Sequence, residues 1–299
     1  MSNVHTAANK PWRDYLTLCK PKVVLLMLIT VWVGMFMAIQ PGTFPWQPVL
    51  FGSIGIAAIS GSGAAFNHWI EQRIDAAMKR TQRRPIASGR INETKALIFA
   101  LSLFTTGALV LGLCVNITTL WLTVLSFIGY AFVYTIFLKP ASPQNIVIGG
   151  IAGATPPLLG WAAITGSIDP RALLLVLIIF VWTPPHFWAL AVAKRDEYAL
   201  TKLPMLPVTH GIPYTKLQIL LYAILLLPVS VFPYVFGLSG GIYLCLVLAL
   251  DCWFISHTAC LYRSDDVNLA MPLFRDSILY LLVLFLGLIV DRLYFFWLS

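Results

Sequence analysis

The sequence predicts an all-α polytopic membrane protein: a nine-transmembrane-helix bundle around a central chamber that opens to the cytoplasmic side. Of 299 residues, 59% are hydrophobic and 11% charged, and the mean hydropathy of +0.83 excludes an ordinary water-soluble domain. The apolar residues fall into nine runs, near 23–40, 48–69, 96–115, 118–138, 145–166, 171–191, 216–236, 240–261 and 275–297. Most are long enough to cross about 30 Å of hydrocarbon as a helix. The cations are distributed one-sidedly between the runs, which gives the bundle an orientation.

Taken in order, residues 1–20 form a polar amino-terminal segment, and the first run begins at the Pro21–Lys22 boundary. The second run ends in a charged stretch, 70–95. The third and fourth meet at Asn116 and Thr118 with almost no loop between them. The fifth is rich in small residues and proline (Gly149, Gly150, Gly153, Pro156, Pro157, Gly160), which allows close helix approach. The sixth carries Pro184–Pro185, a pair that removes two amide donors and frees carbonyls, so this helix is expected to bend around an internal pocket with the fifth. A second charged stretch, 192–215, follows it, and three further runs complete a single domain over 1–299.

Lys10, Arg13, Lys20, Lys22, the cations of 73–95, Lys139, Lys194, Arg195, Lys202, Lys216, Arg263 and Arg275 all fall on one side. Only Arg171 and Arg292 fall on the other, so 18 of the 20 Lys and Arg residues share a face. The positive-inside rule makes that face, and the amino terminus, cytoplasmic. The net charge of +8 is then mainly a topological record; it suits an anionic substrate or membrane lipid headgroups and gives no reason to invoke nucleic acid. The five cysteines are scattered without a Cys-x-x-Cys pair. No cleavable signal or transit peptide is evident, and a bacterial inner (plasma) membrane is the expected location.

The chemistry is concentrated where the second run leaves the membrane. If its helix continues, Asn67, Glu71 and Asp75 lie at successive i, i+4 steps and share one face. Lys79, Arg80, Arg83 and Arg84 follow at once. Two carboxylates and an amide beside four cations can hold a divalent metal together with a polyanion. Mg2+ fits, because it takes one or two carboxylates and completes its octahedron with waters and phosphate oxygens. The bland alternative is a solvated loop whose cations only fix topology. Ionisable residues are scarce deep in the runs, Asp251 being the main exception, which argues against an ion-coupled transporter. An apolar chamber capped by metal ligands and cations suits a lipidic diphosphate. Departure of diphosphate from an allylic carbon is helped by neutralising its growing charge, and aromatic walls such as Tyr130, Tyr134, Trp182, Phe187 and Trp188 shield the resulting carbocation.

The Asn67-x-x-x-Glu71-x-x-x-Asp75 pattern, continued by Arg80-Thr81-x-Arg83-Arg84-Pro85, resembles the first acidic motif of the intramembrane aromatic prenyltransferases. Trp182-Thr183-Pro184-Pro185-His186-Phe187-Trp188, Pro204-Met205-Leu206-Pro207-Val208, and Tyr134-Thr135 with Lys139 are similar to segments of the haem-modifying branch of that family. The resemblance implies transfer of a farnesyl group from farnesyl diphosphate to a vinyl group of haem b, giving haem O, with Mg2+ as cofactor. It further implies a haem A synthase or the assembly of a terminal oxidase as downstream partner. It assigns Asn67, Glu71 and Asp75 to metal and catalysis, and Lys79, Arg80, Arg83, Arg84, Lys139 and Arg195 to the diphosphate. Tyr134, Trp182, His186, Trp188, Asp196 and Tyr198 go to the acceptor pocket, where His186 is either an iron ligand or propionate partner, or else a histidine satisfied by a carbonyl that the prolines free. The family's second Asp-x-x-x-Asp motif is incomplete, since Leu200 stands four after Asp196. Two rivals are a prenyltransferase acting on another aromatic acceptor, such as a quinone precursor, and a lipid or haem transporter.

Overall fold

The computed structural model describes residues 11–40, 42–77, 81–200 and 203–298, and among them every regular element is helical. In order these are α1 (Pro11–Leu18), α2 (Pro21–Ala38), α3 (Trp46–Ile70), α4 (Gln72–Ala77), α5 (Glu93–Cys114), α6 (Ile117–Ala141), α7 (Asn145–Ala154), α8 (Pro156–Thr165), α9 (Pro170–Ala193), α10 (Arg195–Ala199), α11 (Leu206–Thr209), α12 (Ile212–Val235), α13 (Gly241–Arg263) and α14 (Ala270–Leu298). Counting α7 with α8 as one span, nine described spans are long and apolar enough to cross a membrane. Each expected run has its helix. The last span begins at Val267, about two turns earlier than the run from 275 suggested.

Local chemistry sets the boundaries. Proline occupies the first turn of α2, α8 and α9, where its missing N–H costs nothing. Asp169 caps α9 by accepting from Arg171 N at 2.8 Å. The α5–α6 hairpin turns on Asn116, whose Oδ1 accepts from Thr119 N at 2.8 Å while its Nδ2 donates to Ala162 O at 3.0 Å, tying the hairpin to the end of α8. The fifth run is divided at Thr155, the sixth is not: α9 passes through Pro184 and Pro185 as one helix.

Glycine permits a very close contact between α2 and α8. A Cβ on Gly34 would lie 2.0 Å from Pro157 O, and one on Gly160 would lie 2.0 Å from Val31 O. Helices α2 and α8 therefore meet backbone to backbone, as small residues permit in lipid. One apolar core joins α9 to α12, α13 and α14 through Trp188, Tyr243, Phe254 and Tyr280, and a second joins α2, α3 and α5 through Val31, Ile56, Ala100 and Leu111. The outer helices hold two buried carboxylates, one of which, Asp291, the sequence reading did not single out. Asp251 accepts from Tyr280 Oη at 2.6 Å and Ser230 Oγ at 2.7 Å, and Asp291 accepts from Tyr243 N at 3.1 Å and from Gly240 N. Each is paired with groups of a neighbouring helix, so both act as staples between α12, α13 and α14.

Residues Gly129–Leu138 of α6 are wound as a π-helix. At an α-helical step of about 100° per residue, Tyr130 and Lys139 would point half a turn apart. The wider i→i+5 winding, seen in the bond from Lys139 N to Tyr134 O, closes that angle and turns Tyr130, Tyr134 and Lys139 to one face.

Candidate functional site

A chamber of about 510 Å3 lies within α2, α3, α6, α7, α8 and α9. Its depth is apolar, with Ile59, Gly63, Phe127 and Leu159. Its mouth, at the basic end of the bundle, carries Lys20, Asn67, Glu71, Asp75, Arg84 and Lys139. Helix α3 ends at Ile70 and α4 starts at Gln72, so the helix does not run on unbroken. The i→i−4 bonds persist across the join all the same: Glu71 N donates to Asn67 O at 3.0 Å and Asp75 N to Glu71 O at 2.8 Å. The three side chains stay in register and line one cavity, as the spacing implied.

Each of the three is buried and each meets one cation. Lys20 Nζ donates to Asn67 Oδ1 at 2.8 Å, Lys139 Nζ to Glu71 Oε1, and Arg84 Nη1 to both carboxylate oxygens of Asp75 at 2.7 and 2.8 Å. Asp75 also anchors the following loop, because Thr81 Oγ1 donates to its carbonyl at 3.0 Å. Three cations against two carboxylates leave the mouth with an excess of positive charge. Among the described residues no group of three or more His, Cys, Asp or Glu side chains could hold a metal by itself. A metal here would draw on Glu71, Asp75 and the Asn67 amide oxygen, with other oxygens from substrate and water, which is the coordination habit of Mg2+.

Lys20 has a place in the site that its position among the topology-setting cations does not reveal. It is the one non-glycine with positive φ among the described residues, at 48°. Such strain is tolerated where surrounding contacts enforce it, typically at functional sites. Burial pushes its ammonium down to about 8, Arg84 and Lys139 repel the same charge, and Glu71 and Asp75 oppose the shift in part.

Of the other expected site residues, Tyr134, Trp182 and Tyr198 line the chamber. Tyr134 stacks on Tyr130 with centroids 6.0 Å apart, and it reaches its place because Gly149 leaves room: a Cβ there would sit 2.1 Å from the tyrosine ring. His186 lines an adjoining groove instead. Several expectations are corrected. Trp188 lies outside both cavities, fully buried in the core against Tyr222 at 5.4 Å. Arg195 donates to Pro207 O at 3.2 Å and faces Asp196, whose side chain is 98% exposed, so neither reaches the chamber. Arg83 is exposed. Lys79 and Arg80 lie outside the described residues, as do Thr201 and Lys202.

An apolar chamber within membrane helices, closed at one end by paired acids and cations, is the architecture of a membrane enzyme that handles amphiphiles with polyanionic heads. Residues 27–297 match the sequence profile of the UbiA prenyltransferase family, and the chain belongs to that family. It is a multi-pass membrane prenyltransferase. Among curated relatives it is 54% identical to the protoheme IX farnesyltransferase of Hahella chejuensis over 96% of each chain. It is also 54% identical to that of Marinobacter nauticus, over 99% of this chain and 97% of the other. In fold it is similar to a digeranylgeranylglyceryl phosphate synthase, with a TM-score of 0.79 at 20% identity over 94% of this chain and 98% of that one. A UbiA homologue of Archaeoglobus fulgidus bound to GPP and Mg2+ gives a TM-score of 0.63 at 16% identity over 92% of this chain and 99% of that one.

Proposed function

We propose that this prenyltransferase moves the farnesyl group of farnesyl diphosphate onto a vinyl group of haem b, giving haem O. The observation that carries the diphosphate half is the mouth of the chamber, where Asn67, Glu71 and Asp75 are each paired with one of Lys20, Lys139 and Arg84. The acceptor is taken from the full-length likeness to protoheme IX farnesyltransferases. The tail would lie along Ile59, Phe127 and Leu159, with the head at the cations. Mg2+, held by Glu71, Asp75 and Asn67, would supply charge neutralisation of the departing diphosphate. Lys20, Arg84 and Lys139 would turn from their acidic partners to the diphosphate oxygens and stabilise the charge that grows as the allylic C–O bond breaks. Tyr130, Tyr134 and Trp182 present ring faces that shield the allylic cation. The vinyl group supplies the electron pair for the new C–C bond, and water adds to the cation so formed on the haem side with loss of a proton.

We place the protein in a bacterial inner membrane with the basic end cytoplasmic, from the one-sided distribution of Lys and Arg. Incubating purified protein with farnesyl diphosphate, Mg2+ and haem b and analysing the haem by mass spectrometry tests the activity. Farnesylated, hydrated haem is expected. Prenylation of a quinone precursor with haem left unchanged would overturn the acceptor.

A further inference from the structure

Beside the chamber runs an apolar groove of about 960 Å3 between α2 and α14, with Trp182, Phe187, Gly153 and Pro156 in the walls of both cavities. Its lining is almost wholly hydrocarbon and aromatic, and His186 is its one imidazole. His186 sits seven residues, about 10 Å, before the end of α9. The imidazole is held on both faces, by an edge-on ring and at Nδ1. Trp182 stacks on it with centroids 4.3 Å apart and planes 18° apart, and Phe274 of α14 stacks at 4.5 Å and 25°. Two parallel rings at such distances must take opposite faces. Phe187 meets the ring edge-on at 4.9 Å.

The hydrogen bonds fix the tautomer. His186 Nδ1 lies 2.7 Å from Ser277 Oγ, and Ser277 Oγ donates its own proton to Phe274 O at 2.7 Å. The serine oxygen must therefore accept, and Nδ1 carries the hydrogen. In a neutral imidazole Nε2 then holds a lone pair, and among the described residues nothing bonds to it. The alternatives raised by the sequence separate here. The ring is satisfied by Ser277 and not by a carbonyl freed by the prolines, and Nε2 has no hydrogen to offer a propionate. A lone pair fixed by a hydrogen bond on the far nitrogen is how proteins prepare histidine to ligate a metal.

We propose that His186 Nε2 is an axial ligand to the iron of the haem acceptor, with the macrocycle standing in the groove and a vinyl edge directed across Trp182 and Phe187 into the chamber. The assignment rests on haem being the acceptor, and it adds where the haem binds and through which atom. It is a binding role: the iron remains a property of the substrate and takes no electrons in the transfer.

Absorption and electron paramagnetic resonance spectra of the purified protein with ferric haem b test it. The wild type should show an imidazole-ligated haem. His186→Gly should lose that signature and bind haem at least about 10-fold more weakly, and free imidazole should restore the spectrum. Retained farnesyl diphosphate binding would report that the variant is folded; should the glycine variant fail to fold, His186→Gln is read in the same way. Ser277→Ala should weaken haem binding by about 10-fold while leaving ligation visible. A His186 variant that binds haem with the wild-type spectrum and affinity overturns the ligand, as does equal binding of metal-free protoporphyrin and haem by the wild type. A wild-type protein that binds no haem at all overturns the acceptor together with the ligand.

Discussion

After α3, Glu71 and Asp75 are buried, and their partners Lys139 and Arg84 stand 68 and 9 residues away in the chain. After α9, Lys194 and Glu197 are 41% exposed and bond to each other three residues apart, and Asp196 is left to solvent. Both segments leave the basic end of a span with acids and bases close together. They differ in where the partner comes from. A pair within one turn can form on any exposed helix and contributes a few tenths of a kcal/mol. A pair that joins separate segments of the chain while losing water requires the fold to be in place, and breaking it leaves an uncompensated buried charge. Charge clusters in a membrane enzyme are therefore better judged by the chain distance between partners than by composition.

The largest expected effect tests that contrast directly. Asp75→Asn should lower farnesyl transfer by about a thousandfold or more, while Asp196→Asn should leave it within about twofold. Product formation by mass spectrometry, with thermal unfolding as the check on structure, measures both. If the exposed variant were equally inactive, the difference between the two loops would be illusory.

Next come the cations. Arg84→Met or Lys139→Met should weaken farnesyl diphosphate binding by about 10- to 100-fold, the range of a charge-assisted contact, with haem affinity unchanged. Arg195→Met should change it by about twofold at most. Titration calorimetry on both ligands distinguishes a diphosphate contact from general loss of structure, which would weaken both.

Lys20 sharpens the comparison through pH. With its ammonium held down to about 8 in the free protein, binding of an anion above that pH requires uptake of a proton. Affinity for farnesyl diphosphate should thus be fully developed below pH 8 and fall as pH rises through it. Lys20→Met should bind more weakly at pH 7 and lose this dependence. A wild-type affinity that is flat from pH 7 to about 9.5 would remove Lys20 from the site.

The smallest effect belongs to the second loop. Removing the Lys194–Glu197 pair by double alanine substitution should alter stability by no more than about 0.5 kcal/mol and leave turnover unchanged. A loss of several kcal/mol in thermal or denaturant unfolding would mean the exposed pair belongs to a larger network.

Much of this was legible in the sequence. Nine apolar runs correspond to nine spans among the described residues, and the i, i+4 spacing of Asn67, Glu71 and Asp75 placed them on one cavity wall despite the helix boundary at Glu71. What could not be read depended on tertiary contact. Trp188 and Trp182 are six residues apart on one helix, yet one packs in the core and the other lines the chamber, and only the neighbours of α9 decide which. Pro184–Pro185 signals a break, yet α9 runs through the pair as one helix. Lys20 carried a faint signal: a cation directly before a proline that opens a span, at a position with restricted backbone freedom.

The wide winding of α6 has a consequence for reading relatives of this protein. Each turn with i→i+5 bonds takes up about one residue more than an α-turn, so Gly129–Leu138 holds surplus chain and still brings Lys139 to the face of Tyr130 and Tyr134. In a relative whose corresponding span is ordinary α-helix, the matching lysine would sit fewer residues after its tyrosine. Pairing the two sequences without a gap would set a lipid-facing position against a residue of the chamber.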